Sequence, residues 1–171
     1  VSLTERSYQR ITASWQGRWE SGELIDNAVS AQIYAATAKL GRALRLVGQL
    51  TAEGLVDETA NRFLSVGGDT GLRGYPIQAF TGQWRILGHV ELRTTPVRLA
   101  IARVGALLFW DVGDAAATRT RLGLHQDVGV GLRVLIPQLD PFVMRGDWAY
   151  AFDGPTSGWP GRVTLGLFQV F

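Results

Sequence analysis

The sequence predicts an all-β fold, an antiparallel transmembrane β-barrel with about eight strands in this chain. Three observations lead there. Hydropathy alternates at period two in segments of about ten residues, the length of a tilted membrane-spanning strand. The connections between segments alternate between very short and long. The apolar faces end in Trp15, Trp19, Trp84, Trp110, Trp148 and Tyr150, as the aromatic girdles of a barrel in lipid do. A soluble barrel of the lipocalin kind would reverse the hydropathy, oily inside and polar outside.

Taken in order, Tyr8 to Trp19, Ala28 to Ala38 and Ala43 to about Ala52 make three strands of less regular alternation. Glu20 to Asn27 reads as a longer polar loop between the first two, and Lys39 to Arg42 as a tight turn. Leu55 to Gln83 is the largest connection and reads as a long polar loop. In Trp84 to Arg93, Trp84, Ile86, Gly88, Val90 and Leu92 share one face, and Arg85, Leu87, His89, Glu91 and Arg93 the other. Thr94 to Pro96 is a tight turn into Val97 to Asp111, where Ala100, Ala102, Val104, Ala106, Leu108 and Trp110 lie opposite Arg103, Gly105, Phe109 and Asp111. After a loop from Gly113 to Gln126, Val128 to Ile136 sets Val128, Val130, Leu132, Val134 and Ile136 against Gly129, Gly131 and Arg133. Pro137 to Pro141 is a third tight turn. Met144, Gly146, Trp148, Tyr150 and Phe152 then oppose Arg145 and Asp147, a loop covers Asp153 to Gly161, and Arg162 to Phe171 closes the count. Short turns fall on one rim and long loops on the other, which places the short side in the periplasm and Phe171 at that rim.

Composition agrees with a single domain spanning 1–171. The net charge is +2, and Lys39 is the only lysine among seventeen basic residues. That balance suits arginines held in fork-shaped hydrogen bonds and points away from a solvated nucleic-acid surface. With no cysteine there are no disulfides, thiolate metal sites or cysteine nucleophiles. The longest apolar stretch, Val97 to Trp110, is interrupted by Arg98 and Arg103, so no transmembrane helix is expected. The two histidines, His89 and His125, are too few for a zinc site without several carboxylates, and no nucleophile elbow, triad or nucleotide-binding glycine pattern is present. No metal, cofactor or enzymatic activity is expected.

Within the long connection, Gly67-Gly68 is followed by Leu72-Arg73-Gly74-Tyr75. Downstream come Gly88-His89-Val90-Glu91-Leu92-Arg93 and Phe109-Trp110-Asp111-Val112-Gly113. In order and spacing these resemble motifs of the outer-membrane assembly-factor superfamily, which includes the BamA and TamA barrels, two-partner secretion translocators and patatin-linked barrels. The first resembles the arginine-glycine-aromatic motif of its lumenal loop, the last its phenylalanine-x-aspartate-x-glycine strand motif. The closing Val163 to Phe171, with Gly166, Phe168 and Phe171, resembles the signal read by the barrel assembly machinery, although Gln169 stands where an apolar residue is usual.

The resemblance implies that Arg73 folds back into the lumen and pairs with Asp111 and with Glu91. Strand parity agrees, because both acids fall on the charged face of neighbouring strands. A guanidinium can take one carboxylate with two bonds and still donate to another. Arg10, Arg18, Arg45, Arg85, Arg93, Arg103, Arg133 and Arg145 fall on that face too, either as a basic lining that favours anions or as partners of Glu91, Asp111 and Asp147.

The superfamily barrel has sixteen strands, so about eight correspond to its C-terminal half. The chain is then half of a larger barrel, one of two copies that pair their edges, or a small closed barrel that leaves the loop outside. The resemblance implies a bacterial or organellar outer membrane, contact with its lipid, and work on substrate polypeptides that are inserted or translocated. The periplasmic repeats that receive substrates in the family are not in this sequence. A barrel that anchors or exports a linked patatin-like enzyme, or a passive small-solute pore, are the alternatives.

Overall fold

The computed structural model of the chain describes residues 7–41, 43–137, 142–154 and 157–169. Its strands are β1 (Tyr8–Glu20), β2 (Glu23–Ala36), β3 (Leu44–Val56), β4 (Leu64–Val66), β5 (Phe80–Gly82), β6 (Trp84–Thr94), β7 (Val97–Leu99), β8 (Ala102–Ala116), β9 (His125–Leu135), β10 (Phe142–Ala151) and β11 (Arg162–Gln169). One antiparallel sheet of nine strands runs β1-β2-β3-β6-β8-β9-β10-β11, with the short β7 paired to β8, and β4 with β5 forms a separate hairpin. Among the described residues the strand order does not close: β1 pairs only with β2, and β11 only with β10.

The alternation read from the sequence decides which way the side chains face. Antiparallel partners share a face, so the register Gln49↔His89↔Asp111↔Asp127 draws one row across four strands. On this polar face Leu87, Glu91, Leu107, Phe109, Asp111, Asp127 and Asp147 are buried. On the other face Trp15, Trp19, Val90, Leu108, Trp110, Val130, Leu132, Leu165 and Leu167 are exposed.

Three expectations are corrected. Glu20 to Asn27 is no loop: β1 and β2 meet through Ser21-Gly22, both with positive φ (53° and 88°), as a two-residue hairpin turn requires. The period of β2 is disguised by a bulge, where pairing jumps from Gln16↔Ala28 to Arg18↔Ile25 and Asp26 takes φ 52°. Val97 to Asp111 is likewise not one strand. Ala100, with φ 52°, turns the chain between β7 and β8, so Leu99 pairs with Ala102 and the turn is made without glycine or proline. Finally, the connection after β3 holds the β4–β5 hairpin and a 3-10 turn at Gly68–Thr70. Other bounds shift modestly: β2 ends at Ala36, β3 runs on to Val56, β8 to Ala116, and β9 begins at His125. Most of the expected turn at Pro137 to Pro141, together with Arg42 and Phe171, lies outside the described residues.

The hydrophobic core sits between the long connection and the polar face. Val66, Leu72, Tyr75, Leu87, Ala115 and Ala151 form it, with Phe80 packed alongside. Leu72 and Tyr75 are fully buried, and each such side chain contributes about 1.5–3 kcal/mol of transfer free energy. The start of the same connection is tied to the β2 bulge: Asp26 accepts from the Thr59 N–H at 2.7 Å and its hydroxyl at 2.8 Å, and Arg62 donates to the Asp26 carbonyl at 2.8 Å.

Candidate functional site

The segment from Gly67 to Tyr75 is a compact ring. The Gly68 N–H donates to the carbonyls of Leu72 at 3.2 Å and Tyr75 at 3.1 Å, and the Tyr75 N–H returns to Leu72 at 3.0 Å. Gly67 and Gly68 need their glycines here, since φ values of 129° and 62° are poorly open to other residues. The ring drives Leu72 into the core and aims Arg73 at the sheet.

Arg73 is 4% exposed. Its Nε donates to Asp111 Oδ2 at 2.7 Å and its Nη2 to Asp111 Oδ1 at 2.9 Å, a two-pronged pair. Nη2 also donates to Glu91 Oε1 at 2.7 Å. Nη1 lies 3.6 Å from Asp147 Oδ2. Beneath the guanidinium is the Phe109 ring, 3.6 Å from carbon to ring centre, a cation-π contact in a desolvated place. Burial alone would lower the basicity of Arg73; the Asp111 and Glu91 carboxylates more than reverse that, so the guanidinium stays charged.

Each acid has further donors. His89 Nδ1 lies 2.9 Å from Asp111 Oδ1, and Arg93 Nε donates to Glu91 Oε2 at 2.7 Å. Asp147 accepts from Arg133 Nη1 at 2.6 Å and from Arg145. Asp127, paired in register with Asp111, accepts from the Gly74 N–H at 2.9 Å through Oδ2. Its Oδ1 has no hydrogen-bond partner among the described residues.

Gly74 lies flat on the sheet: a Cβ there would stand 2.9 Å from Asp127 Cβ and 3.0 Å from the Ala151 nitrogen. Tyr75 continues the contact, donating its hydroxyl to Asp153 and lying 3.2 Å from the Gln126 carbonyl. Burial, then Asp153, pushes the Tyr75 phenol up, and the Tyr75 hydroxyl holds the Asp153 carboxyl below the usual carboxylate range. Phe80 packs edge-on against Tyr75 at 5.3 Å and stacks on His125 at 3.9 Å.

The structure thus brings together Arg73, Gly74, Tyr75, Glu91 and Asp111. Gly67 and Gly68 shape the ring, and Gly113 lies in β8 beneath Leu87. Gly166 stands apart on β11, opposite Arg145, and Phe168 is opposite Val143. Phe109, His89, Asp127 and Asp147 belong to the centre as well. Parity marks Asp127 as a polar-face residue two before Gly129, but its strand was expected to begin at Val128.

Beside the centre is a cleft of about 790 Å³. Thr12 of β1 and Arg145 of β10 both line it, so the sheet curls round it from both ends of the strand order. Its other walls are mixed, with Gln32, Gln49, His89 and Arg93 beside Val47, Leu87 and Val143. Among the described residues no group of three or more His, Asp or Glu is arranged to hold a metal ion. The chemistry available is that of a fixed ionic anchor, one cation held between carboxylates from two strands. The chain matches no protein-family model and no curated protein.

Proposed function

We propose that this chain forms part of an outer-membrane β-barrel of the assembly and translocation type, which inserts or passes polypeptides and does no covalent chemistry. One observation carries the reading: Arg73 is buried against Asp111 and Glu91 beneath a long connection, while the opposite face of the same strands is apolar and exposed. An exposed apolar surface of that extent is costly in water and suits lipid. In this arrangement Arg73 is a lumenal latch. It keeps the connection folded against the wall of the hollow, and the cleft beside it is the path.

Among the described residues β1 and β11 each have an unpaired edge, which supports completion by further strands, from the N-terminal half of a larger barrel or from a second copy. Bare strand edges do not persist in hydrocarbon.

Reconstitution tests the reading. The full chain is placed in lipid vesicles, and the folding of a urea-unfolded eight-stranded outer-membrane barrel is followed by heat-modifiable gel migration. The proposal expects folding several-fold faster than in empty vesicles, with the gain reduced by Arg73→Ala. Ion leakage without faster folding identifies a passive pore instead.

A further inference from the structure

A second hollow of about 290 Å³ lies at the short-turn end of the polar face. It adjoins the larger cleft, sharing Tyr34, Val47, Arg93 and Arg133 with it. Four cationic residues line it, Lys39, Arg45, Arg93 and Arg133, and among the described residues no acidic one does. We infer that this hollow is a binding site for a multivalent oxyanion, a group of the diphosphate class, held by those four side chains.

The register makes the hollow basic. Arg45 and Arg93 are direct cross-strand partners on β3 and β6, as are Arg133 and Arg145 on β9 and β10. Like charges directly opposite repel one another, so each pair needs something negative between its members. Asp147 supplies that for Arg133 and Arg145, and Glu91 for Arg93. Among the described residues nothing comparable serves Arg45. Its Nε donates at 2.8 Å to the carbonyl of Thr37, a neutral acceptor, and among the described residues no carboxylate forms an ion pair with Arg45 or Lys39.

Arg10, Lys39, Arg45, Arg98, Arg103 and Arg133 lie toward the short-turn end; at the long-loop end Arg18, Arg62, Arg119 and Arg121 are mixed with Glu20, Glu23, Asp26, Asp57, Glu58 and Asp153. A field of one sign across a walled hollow concentrates ions of the other. Guanidinium forks match the geometry of phosphate oxygens. The volume corresponds to roughly ten waters at about 30 Å³ each, which admits a diphosphate group and excludes a folded chain. This site does not depend on polypeptide transport. It stands on the basic wall alone.

The test uses inorganic pyrophosphate titrated into the full chain in a zwitterionic detergent at low salt, with binding read by calorimetry. Saturable one-to-one binding is expected, weakening as salt is added. Lys39→Gln and Arg45→Gln should each weaken it by roughly tenfold, and Arg45→Lys by less. Arg121→Gln, at the far end of the molecule, should leave it unchanged. Far-UV circular dichroism checks that the strands survive, and the exposed Lys39 makes its variant safe for the fold. Absence of saturable binding overturns the site, and so does equal weakening by Arg121→Gln. Because no client folding is measured, failure here is distinct from failure of the transport reading.

Discussion

The sheet has a covered part and a bare part, both built from the same alternation. Where the long connection lies over β6, β8, β9 and β10, the polar face is dry: Glu91, Asp111, Asp127 and Asp147 are all buried. At β1 every residue is exposed, on both faces. The Arg18–Glu20 pair there has both side chains more than half exposed, and such pairs contribute at most about 1 kcal/mol. The difference teaches that period-two patterning decides direction, while dryness needs a second layer. Under that layer a charge is expensive unless partnered, so each acid beneath Arg73 draws in donors.

The contrast can be broken most severely at Arg73. Arg73→Ala leaves Asp111 and Glu91 without their shared cation and should cost about 3–5 kcal/mol. Limited proteolysis between residues 57 and 79 should accelerate sharply while the strands stay intact. Arg73→Lys should recover part of the loss, since one ammonium cannot reproduce the fork.

Gly74→Ala tests the covering layer with every ion kept. Its new Cβ would press on Asp127 and on the backbone of Ala151, and overpacking of this kind costs about 1–3 kcal/mol. The same proteolysis should report an intermediate rate. Tyr75→Phe removes only the hydroxyl contacts to Asp153 and Gln126, for about 0.5–1.5 kcal/mol in chemical unfolding.

Acid should loosen the same corner. The Asp153 carboxyl is held below its ordinary range, chiefly by the Tyr75 hydroxyl, so its stabilising effect is present above the ordinary carboxylate pKa and is lost as pH falls through the lowered value. Hydrogen exchange around Tyr75 should rise on that acid limb and stay flat near neutrality. On the bare part, Thr12→Ala should change stability by no more than about 0.5 kcal/mol.

The sheet was legible because alternation survives wherever a strand has one apolar face; parity put Glu91 and Asp111 on the charged face, while their pairing with Arg73 was what the motif resemblance implied. Arg73 was found through glycines and an aromatic around one charge. What stayed hidden has local causes. Ser21-Gly22 is a weak turn signal inside a polar stretch, and the Asp26 bulge shifts the period beside it. Ala100 makes its turn with an ordinary apolar residue. Asp127 is hidden in the sequence because Val128 is the first strongly β-forming residue of its strand, and the strand begins earlier, at His125.

The Arg73–Asp111 bond holds the long connection to the sheet. A double-mutant cycle with Arg73→Ala and Asp111→Asn, read as the free energy of unfolding in detergent, measures that bond directly. A coupling of at least about 1.5 kcal/mol is expected for so close a charged pair. Losses that simply add, within about 0.5 kcal/mol, would contradict it.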